Sequence, residues 1–346
     1  MTHCIRITTA SQSREFEAEP GERVLHAALR AGVMLPYECA TGSCGTCRAT
    51  VTNGNVASFW PDAPGGRKLR GASDILTCQT AATGDLELSI RGSIGRVDNV
   101  PAHLHGRMTQ RRRHNEEIAE FSVELDRPMH FIAGQFVLME FSGIPGPRAY
   151  SMTNRPGVDT KSPRFLIRDT GTGLVTRRLF DSSPLDEPVR LFGPLGRATY
   201  DPAEHRPFVA IAGGSGIAGI LSILDHAVEV GHFADYPSQL VFGLRAPNAA
   251  YLLDRLSAYA RRFAKGLAIV IAFSDGPPDT TLSATHPALR FFHGFAHDAA
   301  RGMLVPGDAK PIHYVAGPPL MVDATLRMLM VEQKISPGDV RYDRFD

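Results

Sequence analysis

Three cysteines in a short loop and a fourth far downstream constrain this chain more than any other feature. The loop reads Cys39-Ala40-Thr41-Gly42-Ser43-Cys44-Gly45-Thr46-Cys47, and the fourth cysteine is Cys78. The pattern is C-x4-C-x2-C, a long gap and a final cysteine, which is the spacing by which four thiolates hold a [2Fe–2S] cluster. Two irons need thiolates that converge from different directions, so a loop supplies three and a distant segment supplies one. The sequence therefore predicts that Cys39, Cys44, Cys47 and Cys78 are iron ligands.

A structural zinc site and a disulfide framework are the alternative interpretations of these cysteines. Structural zinc sites usually carry paired C-x2-C knuckles, and only one such pair is present here. Disulfide frameworks belong to short secreted chains. Gly42 and Gly45 also favour the cluster, because glycine tolerates positive φ and lets the backbone approach the inorganic sulfides closely.

The composition is that of a globular protein with more than one domain. The chain has 346 residues, 43% of them hydrophobic and 21% charged, with a formal net charge of +1. That length indicates two or three domains, and the charge does not favour nucleic acid or a membrane surface as a partner. No apolar run approaches the ~20 residues that span a bilayer, and the N-terminus lacks the features of a signal peptide. Of the five cysteines only Cys4 lies outside the motif, where we expect a buried strand residue. This cysteine usage predicts a cytoplasmic protein.

Residues 1–92 are predicted to form a small mixed sheet crossed by one helix. Strands are predicted over 3–8, 14–17, 48–52 and 86–90, and a helix over 24–31. This is the β-grasp shape, and with the cysteine motif the region resembles a plant-type ferredoxin domain. Residues 60–65, Trp-Pro-Asp-Ala-Pro-Gly, resemble a stretch of the reductase components of bacterial toluene and alkene monooxygenases. Residues 93–104 show weak periodicity and are predicted to be a linker.

Residues 105–204 are predicted to form an antiparallel β-barrel. Pro and Gly separate short β-rich segments at 118–125, 135–141, 164–168 and 189–192. Within this region Arg148-Ala149-Tyr150-Ser151 resembles the R-x-Y-S motif of the ferredoxin–NADP reductase superfamily. Arginine is always charged and can grip a flavin pyrophosphate. The resemblance implies that Tyr150 stacks on the flavin and that Ser151 hydrogen-bonds to its ring.

Two further segments of this region resemble flavin-binding parts of the superfamily. Residues 171–176, Gly-Thr-Gly-Leu-Val-Thr, open a helix predicted over 174–180, whose N-terminus would receive a phosphate. The segment resembles the second flavin-phosphate motif and implies that Gly173 and Thr176 bind FAD. Residues 192–196, Phe-Gly-Pro-Leu-Gly, match the turn that closes the flavin barrel, for which an ordinary Gly-Pro turn is the alternative interpretation.

Residues 205–346 change to the pattern of a parallel α/β domain. Continuous apolar runs at 208–212, 239–244, 267–273 and 311–316 alternate with helical segments, for example at 217–230, 248–263 and 320–332. Buried strands that alternate with helices indicate a parallel sheet. The chain is thus predicted to be a multidomain α+β and α/β protein with an N-terminal β-grasp plant-type ferredoxin, an antiparallel β-barrel FAD domain and a C-terminal parallel α/β nicotinamide-binding domain.

Glycine-rich turns after these strands predict the nicotinamide nucleotide site. Gly213-Gly214-Ser215-Gly216 follows the first apolar run and, with Gly219, forms G-x-G-x-x-G between a strand and a helix, which is the context that the motif requires. Arg245 after the second run and Gly317-Pro318 after the fourth lie in segments that resemble nicotinamide-binding motifs of the same superfamily. The superfamily usually has cysteine where this chain has Ala316, and it commonly has proline where this chain has Gly219.

The C-terminal residues match a further feature of the superfamily. Its members carry an acidic and an aromatic residue near the C-terminus, close to the flavin, and Asp343 and Phe345 fit that pattern. A frayed terminal strand is the alternative interpretation. The resemblance implies that Ser151 and Phe345 are the residues nearest the reacting ring. No acid or base is required, because hydride transfer depends on proximity and orientation.

The resemblance covers nearly the whole chain and implies the reductase component of a bacterial multicomponent oxygenase. Electrons would pass from NADH through FAD and the [2Fe–2S] cluster to the hydroxylase of an aromatic or alkene monooxygenase. NADH delivers two electrons together, whereas the acceptor takes them singly, so a flavin and a cluster share one chain. The alternative is the reductase of a Rieske-type ring-hydroxylating dioxygenase, with a Rieske ferredoxin as acceptor. An iron–sulfur and flavin redox sensor is an alternative of another class.

The choice between NADH and NADPH stays open at the level of single residues. An arginine in the position of Arg245 binds the 2′-phosphate of NADP in simple dinucleotide folds. In the superfamily that this chain resembles, such an arginine occurs with either nucleotide, and relatives with an N-terminal ferredoxin domain mostly use NADH. We therefore expect NADH.

Overall fold

A computed structural model of the chain describes residues 1–157, 160–181, 185–278, 280–303 and 310–345. The chain divides into two compact units, each assembled from three segments. The first unit comprises Met1–Gly106, Val137–Ala149 and Pro188–Leu195, and the second comprises Arg107–Phe136, Tyr150–Glu187 and Gly196–Asp346. The predicted boundaries of the three domains stay a prediction. No helix within the described ranges is long and apolar enough to cross a membrane.

The N-terminal region contains nine strands and one helix. They are β1 (His3–Thr8), β2 (Ser13–Ala18), α1 (Val24–Arg30), β3 (Val33–Met34), β4 (Arg48–Asn53), β5 (Val56–Ser58), β6 (Asp74–Leu76), β7 (Thr80–Ala82), β8 (Leu86–Ser89) and β9 (Gly95–Arg96). The main sheet has the order β2-β1-β8-β4-β6. It is mixed because β1 pairs antiparallel with β2 and parallel with β8. The predicted small mixed sheet with one helix is confirmed.

Strand alternation in β1 decides which of its side chains enter the core. Ile5 and Ile7 are fully buried. Cys4 directly precedes Ile5 in the strand and is exposed, so the expectation that it is buried was wrong. The reason is the two-residue period of a strand, which places neighbouring side chains on opposite faces. The sequence pattern assigned Cys4 to a strand but not to a face.

Part of the segment predicted as a linker has regular structure. β9 pairs antiparallel with β3, with Val33 opposite Arg96 and Met34 opposite Gly95. A twelve-residue strand then begins at Ala102. Residues 93–94 and 97–101 of this segment are without helix or strand.

The central region is built mainly of antiparallel strands. Its elements are β10 (Ala102–Arg113), β11 (Ile118–Leu125), β12 (Phe136–Phe141), β13 (Arg148–Ser151), β14 (Arg164–Arg168), α2 (Leu174–Leu179) and β15 (Glu187–Leu195). They form a six-stranded sheet of order β13-β12-β15-β10-β11-β14. β11 and β14 pair antiparallel, with Phe121 opposite Phe165 and both side chains fully buried. This agrees with the barrel-like antiparallel domain that the sequence predicts.

The C-terminal region alternates strands with helices. Its elements are β16 (Phe208–Gly213), α3 (Ile217–Glu229), α4 (His232–Asp235), β17 (Ser238–Leu244), α5 (Leu253–Arg262), β18 (Leu267–Phe273), α6 (Thr280–Thr285), β19 (Arg290–His293), α7 (Ala296–Arg301), β20 (Ile312–Gly317), α8 (Pro319–Leu326) and β21 (Val340–Arg344). The strands form one parallel sheet of order β19-β18-β17-β16-β20-β21. The predicted parallel α/β domain is confirmed.

Burial on both faces explains why the strands of this sheet are apolar throughout. Every residue of β16 and of β20 is buried. One face packs in a core that includes residues of α3 and α5, and the other packs against residues of α7 and α8. Continuous apolar runs are the expected pattern for parallel strands covered on both sides.

Two helices differ from their predicted bounds for local reasons. α5 begins at Leu253 instead of residue 248, because Pro247 opens a separate 3-10 turn and Leu252 has a positive φ of 64°. Residues with positive φ cannot continue a right-handed helix. α8 ends at Leu326, and the chain continues as a π-helical segment, Arg327–Glu332.

A buried histidine joins the beginnings of β16 and β17. His232 Nδ1 lies 3.0 Å from the Tyr200 hydroxyl, and His232 Nε2 lies 2.9 Å from Ser238 Oγ. Ser238 Oγ in turn accepts from the Phe208 N–H at 3.0 Å. Burial lowers the pKa of His232 to about 4. The neutral imidazole therefore fits this site and the charged one does not.

This histidine should make the stability of the second unit depend on pH. The unfolded chain binds a proton on His232 below pH ~6.5, whereas the folded chain does so only near pH 4, so stability is lost as pH falls through this window. At pH 5.5 the loss amounts to about 1 kcal/mol. We expect His232→Gln to reduce the fall in the urea midpoint between pH 7.5 and 5.5. The exposed His293→Gln is the matched control, and equal pH dependence in His232→Gln and the wild type would contradict the assignment.

Candidate functional site

The pairing of two strands brings Cys47 and Cys78 together in the first unit. β4 and β6 are antiparallel, with Arg48 opposite Leu76, so the residues beyond each strand end are neighbours. The Thr77 N–H and hydroxyl both donate to the Cys47 carbonyl, at 3.0 and 3.1 Å. The two sulfur atoms lie 3.1 Å apart. The long gap in the cysteine motif is therefore closed by a sheet.

Cys39 and Cys44 form a second pair of thiols in the loop between β3 and β4. The Cys44 N–H donates to Cys39 Sγ at 3.3 Å, and the Thr46 N–H donates to Cys44 Sγ at 3.5 Å. The Cys44 thiol also donates to the Cys39 sulfur, and this lowers the pKa of Cys39 to about 5. The same hydrogen bond raises the pKa of Cys44, so within this pair Cys39 is the thiolate and Cys44 is the thiol.

The arrangement of the four buried thiols as two pairs favours a two-iron cluster over a single zinc ion. Their exposed fractions are 6% for Cys39, 7% for Cys44, 4% for Cys47 and 0% for Cys78. A structural zinc site needs four ligands around one ion. Within the described ranges, no group of three or more His, Cys, Asp or Glu side chains is placed to hold one metal ion. Two pairs suit two irons with two thiolates each, and the residues therefore fit a [2Fe–2S] cluster.

The segment that follows β5 closes over the cysteine loop. Gly42 and Gly45 have φ values of 95° and 74°, which glycine adopts without strain. The Gly65 N–H donates to the Gly42 carbonyl at 2.8 Å. A Cβ at Gly45 would lie 2.9 Å from the Gly65 carbonyl oxygen, so only glycine allows this contact. Gly65, the last residue of segment 60–65, thus packs against the cysteine loop, and Trp60 at the start of the segment is 44% exposed.

The R-x-Y-S residues lie on β13, as the motif requires. Arg148, in the first unit, donates from Nη1 to the carbonyls of Pro145 and Gly146 at 2.9 and 2.7 Å. The guanidinium is thus engaged by its own turn. Tyr150 and Ser151 belong to the second unit, where Tyr150 is half-buried and Ser151 is 7% exposed.

The second predicted flavin segment forms the start of α2. Gly173 precedes the helix, and no side chain caps its N-terminus. Thr176 is buried and its hydroxyl donates to the Gly173 carbonyl at 3.2 Å. A Cβ on Gly173 would lie 2.9 Å from that hydroxyl oxygen. The first-turn N–H groups therefore lack a side-chain acceptor, which fits an anionic group such as a phosphate.

Two glycine turns interlock at the carboxyl edge of the parallel sheet. Gly216, which precedes α3, approaches the end of β20 so closely that a Cβ would lie 2.5 Å from the Ala316 carbonyl oxygen and 2.6 Å from Gly317 Cα. No side chain caps the N-terminus of α3. This edge is where parallel α/β sheets bind nucleotides, and a glycine turn at a helix N-terminus without a side-chain cap fits the diphosphate. Gly213, Gly214 and Ser215 form the rest of the turn, and Pro318 follows Gly317.

The C-terminal residues reach the same edge of the sheet. β21 pairs parallel with β20, and the Phe345 N–H donates to the Gly317 carbonyl at 3.2 Å. The Phe345 ring meets the buried Phe136 ring edge-on at a centroid distance of 5.8 Å. The aromatic residue is therefore held from both sides. The expectation that Phe345 lies close to the flavin stays a prediction.

Ser151 is also near this edge within the second unit. A Cβ on Gly219, in the first turn of α3, would lie 3.6 Å from Ser151 Cβ and 3.2 Å from the Gly134 carbonyl oxygen. The helix start thus packs against the strand that carries the serine. The predicted flavin and nicotinamide residues Ser151, Gly216, Gly317 and Phe345 are linked through these contacts.

Arg245 carries an ion pair that the sequence did not predict. Its Nε donates to Asp275 Oδ2 at 3.0 Å, and the Asp275 N–H donates to the Arg245 carbonyl at 2.7 Å. Asp275 follows β18, the neighbour of the strand that ends at Leu244. The position of Asp275 after a parallel strand is the signal that could have identified it. The ion pair is largely exposed to solvent.

Family models match all three regions of the chain. A 2Fe-2S iron-sulfur cluster binding domain matches residues 7–83, an oxidoreductase FAD-binding domain matches residues 105–200, and an oxidoreductase NAD-binding domain matches residues 210–327. The three predicted cofactor types, a [2Fe–2S] cluster, FAD and NAD, are thereby confirmed.

Relatives cover the chain almost from end to end. It is 34% identical over 341 residues to the ferredoxin–NAD(+) reductase component of the alkene monooxygenase system of Xanthobacter autotrophicus, which covers 97% of this chain and 99% of that protein. It is 30% identical over 333 residues to a ferredoxin–NAD(P)(+) reductase of Metapseudomonas resinovorans, with 94% and 95% covered. The solved structure of a ferredoxin reductase in carbazole 1,9a-dioxygenase matches with a TM-score of 0.81 and 27% identity, over 100% of this chain and 99% of that one. The chain therefore belongs to the family of ferredoxin–NAD(P)(+) reductase components and is an oxidoreductase with [2Fe–2S], FAD and NAD domains.

Proposed function

We propose that this chain transfers electrons from NADH to the hydroxylase of a bacterial alkene or aromatic monooxygenase. The observation that carries the proposal is the joint presence of two thiol pairs for a cluster and two interlocked glycine turns for a nucleotide. The alkene monooxygenase reductase, at 34% identity over nearly the whole chain, supports this class of acceptor. Thiols that ligate iron need a reducing compartment, so we place the protein in the cytoplasm.

The two thiol pairs would hold the cluster, from which electrons would leave for the acceptor protein. FAD can accept a hydride and release electrons singly, and a [2Fe–2S] cluster carries one electron at a time. In our proposal Cys39 and Cys44 bind one iron and Cys47 and Cys78 bind the other. The Cys44 and Thr46 N–H groups, which already donate to sulfur, would stabilise the negative charge of the bound thiolates.

The flavin would be held by residues of β13 and of the start of α2. We propose that Arg148 binds the pyrophosphate of FAD and that Gly173 and Thr176 form the second phosphate contact. Tyr150 would stack on the ring, and the buried hydroxyl of Ser151 would hydrogen-bond to it. Phe345 would cover the ring beside Gly317 and exclude water from the transfer.

The nicotinamide nucleotide would lie along the glycine turns. We propose that Gly213, Gly214, Ser215 and Gly216 receive the diphosphate through their N–H groups and that Gly317 and Pro318 border the nicotinamide. Arg245 would contact the adenosine half of the nucleotide. The contact between Gly216 and the end of β20 leaves no room for side chains, so the backbone can approach the ligand.

A second acceptor is favoured by the other relatives. Reductase components named for naphthalene and toluate dioxygenase systems are 30% and 27% identical to this chain over 95% and 96% of it. A Rieske ferredoxin or dioxygenase is therefore the alternative acceptor. Reconstituted turnover with a purified alkene monooxygenase hydroxylase, or with a Rieske ferredoxin, decides between the two classes.

The direction of electron flow is tested by the variant Cys78→Ser. One iron loses a thiolate, so the variant should lose the cluster, while flavin reduction by NADH persists because its residues lie elsewhere. Ferricyanide, which can meet the flavin directly, should be reduced at a rate close to that of the wild type, and cytochrome c at least tenfold more slowly. The measurement is steady-state reduction of both acceptors, with FAD and iron contents determined alongside.

The chain offers a matched control for this variant. Cys4 is an exposed cysteine in β1, outside the thiol pairs, so Cys4→Ser should retain both activities and the iron. Loss of both activities in Cys78→Ser with FAD retained would mean that flavin turnover itself depends on the cluster. Retention of iron and of both activities would refute the ligand assignment.

The close approach of Gly216 to the end of β20 is tested by Gly216→Ala. The added methyl group would press on the Ala316 carbonyl, and overpacking of this kind displaces backbone at a cost of ~1–3 kcal/mol. We expect the KM for NADH to rise about tenfold with FAD and iron retained. Gly302→Ala is the control, since nothing lies within 4 Å of its Cβ position and its φ is not positive. An unchanged KM would show that this turn does not border the nucleotide.

The ion pair of Arg245 with Asp275 is expected to favour NADH over NADPH. A carboxylate 3.0 Å from the guanidinium would repel a 2′-phosphate and can accept from ribose hydroxyls. We expect a higher kcat/KM for NADH in the wild type and a shift of roughly tenfold toward NADPH in Asp275→Asn. The exposed Asp254→Asn should leave the ratio unchanged. A wild-type preference for NADPH would contradict this assignment.

A further inference from the structure

Gln79 is a buried polar residue next to the fourth cysteine. It ends the 3-10 turn Thr77–Gln79 and is only 3% exposed. Its side-chain nitrogen Nε2 is buried and has no hydrogen-bond partner among the described residues. Buried amide donors in folded proteins nearly always have an acceptor. An acceptor that is not a protein atom is therefore expected at this place.

The Gln79 side chain is directed toward the cysteine loop. A Cβ built on Gly42 would lie 3.0 Å from Gln79 Cγ and 3.2 Å from both Cδ and Nε2. The carboxamide thus lies against the backbone of Gly42, in the middle of the loop between Cys39 and Cys44. Gly42 leaves room for the amide because it has no side chain.

Two backbone carbonyls near the amide have hydrogen-bond partners. The Gly42 carbonyl accepts from the Gly65 N–H at 2.8 Å, and the Gln79 carbonyl accepts from the Phe59 N–H at 2.8 Å. These two hydrogen bonds fix the loop and the base of the glutamine side chain. The amide therefore lies against the loop that carries three thiols, on the residue next to the fourth.

We propose that the Gln79 side-chain amide donates a hydrogen bond to a sulfur atom of the [2Fe–2S] cluster and raises its reduction potential. The proposal rests on the cluster assignment made above. Cluster sulfurs carry negative charge and are good acceptors for N–H donors. Reduction adds one electron to the cluster and increases that charge, so the donor stabilises the reduced state more than the oxidised state. Gln79 thus tunes the reduction potential of the cluster.

The first test uses the wild-type holoprotein labelled with 15N on glutamine side chains. In the reduced, paramagnetic cluster we expect a hyperfine coupling to one side-chain 15N. The coupling should be absent in Gln79→Met, which keeps the length of the side chain and removes the donor. No side-chain 15N coupling in the wild type would overturn the proposal, because the amide would then bond to water or to nothing.

The second test is a redox titration of the full chain followed by the same spectrum. We expect Gln79→Met and Gln79→Leu to lower the equilibrium constant for cluster reduction about tenfold, which is 59 mV for a one-electron couple. Thr80→Val removes a buried hydroxyl from the next residue and serves as the matched control, with an unchanged potential expected. An unchanged potential in both Gln79 variants would overturn the tuning role. A wild-type protein that binds no cluster would instead refute the proposed function, so the two failures are distinguishable.

Discussion

The antiparallel pairing of β4 with β6 is the interaction on which the iron site depends. The sulfurs of Cys47 and Cys78 are 31 residues apart in sequence, and a flexible loop of that length would rarely bring them together. The pairing of β4 with β6 brings them together, and just beyond the strand ends the Thr77 N–H and hydroxyl both donate to the Cys47 carbonyl. Cys47 and Cys78 are therefore held in place by the paired strands next to them. Gly65 contacts the loop that carries the other thiols through a hydrogen bond from its N–H to the Gly42 carbonyl.

Close backbone approach at glycine is the corresponding constraint in the second unit. The Gly216 turn and the end of β20 approach each other to a distance that no Cβ would allow. Both segments follow adjacent parallel strands, since β16 pairs with β20 in register from Phe208 to Ala212. Their carboxyl ends therefore meet at one edge of the sheet. Phe345 reaches the same edge because β21 is the next strand along. Three segments far apart in sequence thus meet there because the sheet orders their strands side by side.

The sequence predicted well those features that chemistry or burial fixes locally. β18 has the predicted bounds, Leu267–Phe273, because a central parallel strand must be apolar on both faces. The thiol ligands were predictable because an iron–sulfur cluster restricts both residue type and spacing. The exposure of Cys4 was not, because a one-residue change of register reverses the two faces of a strand. The contacts of Gln79 with Gly42 and of Asp275 with Arg245 join segments that are distant in sequence, and nothing local in the sequence specifies them.

Ala316, where the superfamily usually has cysteine, lies near the end of β20 beside the Gly216 turn. Ala316 is 5% exposed and pairs with Ala212 in the ladder between β16 and β20. Gly216 approaches its carbonyl oxygen, an atom that alanine and cysteine share. The substitution therefore leaves the turn and its N–H groups where they are, and it removes only the sulfur beyond Cβ.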